Sequence, residues 1–253
     1  MISRGTLRPL VLPTVAFAVL LVVWEAVVAL LGIQQIVLPR PTAVAVTLVD
    51  KAGPIAFHAR HTLVTTLIGF GAAVGLGLLL GFAIGASATV HEALYPLLVG
   101  FNSIPKAAVV PLLVMWFGIG AVPAVLTAFL LAFFPVAVNV ALGLATLEAE
   151  LRDVLRALGA SRWQIFVKVG VPRTMPMFFA SLKVAISSAF VGSVISETVA
   201  SNAGIGYLMA VAASDFNTRL AFAGLFVLAA MGVALYGIFA AVERRVTAWA
   251  YAD

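Results

Sequence analysis

The residues of this chain that could do chemistry are few. Lys106 follows Asn102 by four positions inside "YPLLVGFNSIPKAAVVPLLVMWFGIG", an apolar run interrupted by Pro96, Pro105 and Pro111. Each proline removes a backbone donor and clashes with the preceding turn, so the run reads as a broken helix. A lysine at such a break could offer a weak, reversible positive site to an anion crossing a low-dielectric passage. Lys183 and Glu197 share another apolar run, about 14 residues or roughly 21 Å apart on a helix, too far to pair. His58 and His61 lie three apart with no third ligand nearby, a poor metal site. Glu25 follows Trp24 at the end of the first apolar run and reads as an interfacial residue. The sequence has no cysteine, which excludes disulfides, thiol catalysis and cysteine-bound metal. No Gly-x-x-x-x-Gly-Lys-Ser/Thr phosphate loop occurs, so the chain does not hydrolyse ATP by that chemistry. It is read as non-catalytic, with no cofactor or metal of its own.

The elements that must carry these residues are membrane helices. Of 253 residues, 63% are hydrophobic and 10% charged, and mean hydropathy is +1.16. A soluble domain carries roughly 25% charged residues. Several windows reach the length of about 20 apolar residues that crosses a bilayer, and the short alternating strands of a β-barrel are missing. The expectation is an all-α protein with six spans near 10–32, 62–87, 92–117, 122–147, 174–200 and 218–243. In domain terms, 1–33 is an N-terminal span, 34–61 an outer connector with a short surface helix, 62–243 a core of five spans, and 244–253 a short tail. The first apolar run exceeds a signal-peptide core and lacks a clear cleavage site, so it reads as an uncleaved span.

Six spans put both termini and the 148–173 loop on one side. That side carries Arg4, Arg8, Arg152, Arg156, Arg162, Lys168, Arg173, Arg244 and Arg245; the other carries Arg40, Lys51, Arg60 and Arg219. Nine against four makes the loop and both termini cytoplasmic. The net charge of +5 follows from this bias and does not indicate a nucleic-acid partner. In the second span, Gly71 and Gly75, and Gly77, Gly81 and Gly85, recur every four residues. Such spacing permits close helix approach, inside one subunit or at a dimer seam.

The loop "RALGASRWQIFVKVGVPRTMP" is amphipathic. Thr146 can cap a helix whose first turns carry Glu148, Glu150 and Asp153, acids that complement the helix dipole. Leu147, Leu151, Val154, Leu155 and Leu158 form its apolar face, which can dock on the bundle. Gly159 suits a left-handed C-terminal cap. Ser161 with Gln164 makes a capping box for a second short helix with Trp163, Phe166 and Val167 on its apolar side. Pro172 and Pro176 are expected to end it. The mixed charge favours a protein partner over an anionic lipid surface.

This loop resembles the signature loop of permease subunits of ATP-binding-cassette importers, Glu-Ala-Ala, three residues, Gly, nine residues, Ile-x-Leu-Pro. Asp153, Val154 and Leu155 stand at the Glu-Ala-Ala positions, Gly159 at the glycine, and Val169, Val171 and Pro172 at the closing positions. Asp replaces Glu, and larger residues replace both alanines. "LPRPTAV", "FFPVAVNVALG", "GIGYLM" and "ERRVTAW" extend the resemblance over about 38–250, in the order of the nitrate/sulfonate/taurine branch. The resemblance implies a type I importer permease fold and a homodimer in the bacterial inner membrane. It also implies two cytoplasmic ATPases that use ATP and Mg, and a periplasmic or lipid-anchored binding protein. By the same resemblance Asp153, Arg156, Gly159, Ala160, Ser161, Arg162 and Pro172 couple to the ATPase. Asn102, Pro105, Lys106, Pro111 and Glu197 are the candidates for the pathway. The branch also includes transporters for pyrimidine vitamin precursors, riboflavin and aromatic acids. A secondary transporter or channel would need intramembrane coupling groups or internal repeats, and Glu197 alone is a candidate carboxylate. An intramembrane enzyme would need a nucleophile–base pair, which is not legible.

Overall fold

The computed structural model describes residues 8–145 and 149–250. The described residues are helical, without strands. In chain order the helices are α1 (Arg8–Leu30), α2 (Pro41–Asp50), α3 (Ala52–Ala86), α4 (Ala88–Ser103), α5 (Lys106–Phe117) and α6 (Ala121–Ala145). There follow α7 (Ala149–Ala157), α8 (Arg162–Ile165), α9 (Val171–Ala200), α10 (Ile205–Ser214) and α11 (Thr218–Val246). A π-helical turn, Phe166–Gly170, fuses α8 to α9, and a 3₁₀ turn, Ala248–Ala250, follows α11. Among the described residues, five helical segments are long and apolar enough to cross a membrane, or six if α4 and α5 form one broken span.

The centre of the bundle is α3, α6 and α9. Small residues set its spacing. A Cβ added at Gly69 would lie 2.6 Å from both Ala128 Cβ and the Val125 carbonyl. Gly77, Gly81 and Gly85 meet Val136, Val140 and Leu144 of α6 just as closely. Ala128, Ala132, Val136, Ala137 and Val140 of α6 are buried to match. Packing of this kind, without side chains between the backbones, replaces the hydrophobic drive that lipid cannot supply. Gly71 and Gly75 point elsewhere and have nothing within 4 Å. The two glycine series therefore have different jobs: one builds the subunit and the other lies on an open face.

At the periphery, Glu25 of α1 accepts hydrogen bonds from both Thr42 N and Thr42 Oγ1 at 3.0 Å. It caps α2 from outside, at the helix end where a carboxylate is favoured. Trp24 packs on Phe222 and Phe226 of α11, with ring centroids 5.5 and 6.0 Å apart.

Four sequence expectations are corrected here. The helix that carries the second span begins at Ala52, not near 62, so both His58 and His61 lie on α3. The polar residues of 58–61 depress hydropathy without breaking a helix: His58 accepts a hydrogen bond from Gly204 N, and Arg60 is exposed. The third span does not break at every proline. Pro96 and Pro111 lie inside α4 and α5, and the chain turns by 88° only at Ile104–Pro105. Ile104 is extended (φ −70°, ψ 127°), as the residue before a proline prefers. Pro172 and Pro176 do not end a helix: the π turn, closed by Val171 N to the Phe166 carbonyl, carries the helix on past both prolines. The last helix runs on to Val246, three residues past the expected end of its apolar run.

Candidate functional site: a glycine elbow, a helical rod and a broken span

The elbow is built by local rules. Gly159 takes φ +87°, the left-handed conformation that glycine adopts without a Cβ penalty. Ala160 N donates to the Leu155 carbonyl at 3.0 Å and Gly159 N to the Arg156 carbonyl at 2.9 Å. These paired bonds are a Schellman cap, and they satisfy carbonyls that the end of α7 would leave open. Two residues later the expected capping box is present. Ser161 N donates to Gln164 Oε1 at 2.8 Å, and Gln164 N donates to Ser161 Oγ at 3.2 Å. A helix end and a helix start are thus closed within six residues, which makes the turn stiff.

Among the described side chains of α7's expected apolar face, Leu155 is half-buried while Val154 and Leu158 stay open. Val154 is 56% exposed and Leu158 is 78% exposed, and Trp163 on the next helix is 71% exposed. Ile165 and Gly170 are the residues that sink into the bundle. Arg156 pairs loosely with Asp153 at 3.8 Å, both side chains solvated. Behind the elbow lies a cleft of about 770 Å³, walled by Phe82, Leu144, Trp163, Ile165 and Phe166, with Arg156 at its edge. Arg162 opens α8. Thr146, Leu147 and Glu148 lie outside the described residues, as do Arg4 and the side chains of Glu150, Leu151, Arg152 and Arg162.

From Arg162 to Ala200 the chain is one helical rod, roughly 58 Å long at about 1.5 Å per residue. Thr174 lies against Gly143 of α6, where a Cβ would come within 2.6 Å of its methyl group. Gly192 meets the backbone of Thr127 and Ala128 equally closely. The rod is therefore seated along α6 from Thr174 to Gly192. Pro172 falls in its first turn after the π segment.

At the broken span, Asn102, Pro105 and Lys106 come together. Lys106 Nζ donates back across the break to the Asn102 carbonyl and to Asn102 Oδ1, the latter at 3.1 Å. The ammonium also stands 5.9 Å from the centre of the Phe101 ring. A cation at the last carbonyls of a helix complements its dipole, so Lys106 caps α4 while itself starting α5. Ser103 and Pro105 are exposed beside it. An apolar groove of about 390 Å³, lined by Leu76, Leu97, Phe101, Phe129 and Phe133, runs alongside. Pro111 lies one and a half turns further on, exposed on α5.

Glu197 does not join this group. It is 1% exposed, and its hydrogen bonds run to α3 and α10. Sequence reasoning missed these partners; the one available signal was polar residues clustering at 58–65 beside an otherwise apolar helix. Lys183, lower on the rod, forms an ion pair with Glu243 of α11, a pairing between residues 60 positions apart that spacing does not reveal.

The profile of the "Binding-protein-dependent transport system inner membrane component" family matches residues 73–248, a stretch that contains α4 to α11, the elbow and the rod. The chain belongs to that family. It is an importer permease of the ATP-binding-cassette type, a transport component of a multi-pass inner-membrane system whose partners are an ATPase and a binding protein. The permease is 31% identical over 238 residues to the formylaminopyrimidine transport permease protein ThiX of Halalkalibacterium halodurans, covering 94% of this chain and 95% of the relative. It is 31% identical over 249 residues to the taurine transport system permease protein TauC of Escherichia coli, covering 96% and 90%. It is 33% identical over 237 residues to the riboflavin transport system permease protein RibX of Chloroflexus aurantiacus, covering 93% and 88%. Its fold matches a chain of the MetNI methionine ABC transporter in an inward-facing conformation, with TM-score 0.64 and 20% identity over 74% of this chain and 93% of that one.

Proposed function

We propose that two copies of this permease line a passage for a small organic or anionic solute, and that the Gly159 elbow couples it to two cytoplasmic ATPases. The observation that carries this reading is the elbow itself. Val154, Leu158 and Trp163 project from a doubly capped, stiff turn instead of covering the bundle. An exposed apolar surface flanked by Asp153 and Arg156 fits a protein cleft better than a lipid surface. Asp153, Arg156, Gly159, Ala160, Ser161 and Arg162 form this contact, and the rod that passes through Pro172 carries its motion. The elbow and both termini face the cytoplasm, on the more basic side. The chain is non-catalytic; ATP and Mg are used by the ATPases, and a binding protein delivers the solute to the outer face.

Asn102 and Lys106, with Pro105 and Pro111 shaping the break, are the groups offered to solute. The likeness to TauC supports a sulfonate-like anion, to which a lysine is suited. The equal likeness to ThiX and RibX supports a second reading, a pyrimidine precursor or riboflavin. The chain lacks cysteine, so Arg156→Cys gives a cross-linking site without background. In membranes holding the whole transporter it is expected to trap an ATPase subunit. Capture of lipid alone, with uphill uptake by vesicles holding only this chain, would refute the reading. A solute screen on the binding protein decides between sulfonate and heteroaromatic cargo.

A further inference from the structure

The rod that starts at the elbow ends on a buried carboxylate. Glu197, one turn before the end of α9, accepts a hydrogen bond at Oε2 from Thr62 Oγ1 at 2.8 Å and from Gly206 N at 3.1 Å. Thr62 Oγ1 in turn accepts from Ile205 N at 2.9 Å, and His58 Nδ1 accepts from Gly204 N at 3.1 Å. The opening N–H groups of a helix have no partners of their own. At α10 those of Gly204, Ile205 and Gly206 are all received by side chains of α3 and α9. Helix α10 has no local cap: Gly204, at the N-cap, has no side chain to supply one. Gly204 also has φ +104°, and a Cβ there would collide with the Glu197 carboxyl group. The chain crosses directly over the carboxylate because only glycine fits.

The knot also holds an idle pair. Glu197 Oε1 and His61 Nδ1 are both buried, both without a hydrogen bond, and 3.6 Å apart. Beside them Thr65 Oγ1 and Ser193 Oγ, also on α3 and α9, bond each other at 2.6 Å. Shortening that gap by a few tenths of an ångström, with the imidazole proton on Nδ1, would make a hydrogen bond from His61 to Glu197. Buried polar atoms are costly to leave unpaired, so a closer approach of α9 to α3 at this point has a bond to gain.

We propose that Glu197 is a positioning residue of the transport cycle, the latch through which displacement of the α9 rod moves α10 against α3. This rests on the elbow being the point where the ATPase acts. The rod is anchored to the elbow at one end and to α10, through the latch, at the other.

The test uses the complete transporter, ATPases and binding protein included, in liposomes. Spin labels on Phe57→Cys of α3 and Val211→Cys of α10, both exposed, read the movement of α10. A label on Lys168→Cys, exposed on the π turn behind the elbow and outside the proposed contact, with one on the ATPase reads the elbow. Glu197→Gln keeps size and one acceptor; Thr62→Val removes the bridging hydroxyl, and Thr62→Ser restores it. Glu197→Gln and Thr62→Val are expected to assemble and hydrolyse ATP while uptake falls by about tenfold or more. The ATP-dependent change between α3 and α10 is lost and the change at the elbow is kept, with Thr62→Ser behaving as the parent chain. Full uptake and an intact α10 movement in Glu197→Gln or Thr62→Val would overturn the latch alone. An elbow that fails to respond to ATP in the parent transporter would overturn the elbow reading and the latch with it. If Glu197→Gln does not assemble, the comparison of Thr62→Val with Thr62→Ser decides.

Discussion

The ammonium of Lys183 on α9 is ion-paired with the carboxylate of Glu243 on α11, one residue before Arg244 and Arg245. Both side chains are largely shielded, at 22% and 12% exposure, so neither charge is fully hydrated. Removing one partner strands the other. Lys183→Met is expected to destabilise the subunit by on the order of 2–3 kcal/mol, somewhat less than a fully buried pair costs. The double variant Lys183→Met/Glu243→Leu is expected to recover most of the loss. Thermal unfolding in detergent, followed by retention of the monodisperse peak, measures both. Equal instability of single and double variants would show that the pair is not the source.

Gly159 has open space around its Cα, so only its backbone angle constrains substitution. Asparagine tolerates the left-handed region, and Gly159→Asn is expected to keep most uptake. Gly159→Pro cannot reach φ +87° and loses the N–H that bonds the Arg156 carbonyl. It is expected to insert normally and to lose ATP-driven uptake. Uptake in proteoliposomes against membrane yield separates the two effects, and normal transport by Gly159→Pro would disprove the coupling role.

Lys106 bonds the end of α4 and leaves one ammonium hydrogen for other partners. Lys106→Met is expected to reduce uptake much more than it reduces ATPase co-purification. Its cost in stability is about 0.5–1 kcal/mol, the worth of a cation at a helix C-terminus. Initial uptake rates with the ATPase yield on the same sample check this. Unchanged uptake would leave Lys106 as a cap only.

The two glycine series of α3 separate in their response to a methyl group. Gly69→Ala drives a Cβ against the Val125 carbonyl and Ala128 and is expected to cost about 1–3 kcal/mol as overpacking. Gly71→Ala meets nothing within the subunit. It is expected to leave subunit melting unchanged, and any effect it has will appear in the association of two copies. Melting and cross-linked dimer yield, measured together, tell the faces apart. A destabilised Gly71→Ala monomer would contradict the assignment.

Local rules made much of this permease legible. The Schellman cap at Gly159 and the box from Ser161 to Gln164 depend on residues within five positions of each other, and both appear where the residue types require. The spans were legible because a bilayer demands long apolar helices whatever the tertiary packing. Prolines were a weaker guide. Of the three in the third span only Pro105 breaks it, since a helix can carry Pro96 and Pro111 where neighbours tolerate the lost bonds.

By itself the sequence determined that the chain crosses a membrane, where its stiff elbow lies and which importer class it serves, because composition, caps and ordered motifs act over short range. Only the tertiary structure decided which glycines build the subunit, what Lys183 pairs with and why a glutamate survives in the core. Those answers rest on contacts such as Gly69 with Ala128, 59 positions apart, and Thr62 with Glu197, 135 positions apart. A side chain's type states the partner it needs, but only the fold determines which distant group comes near enough to provide it.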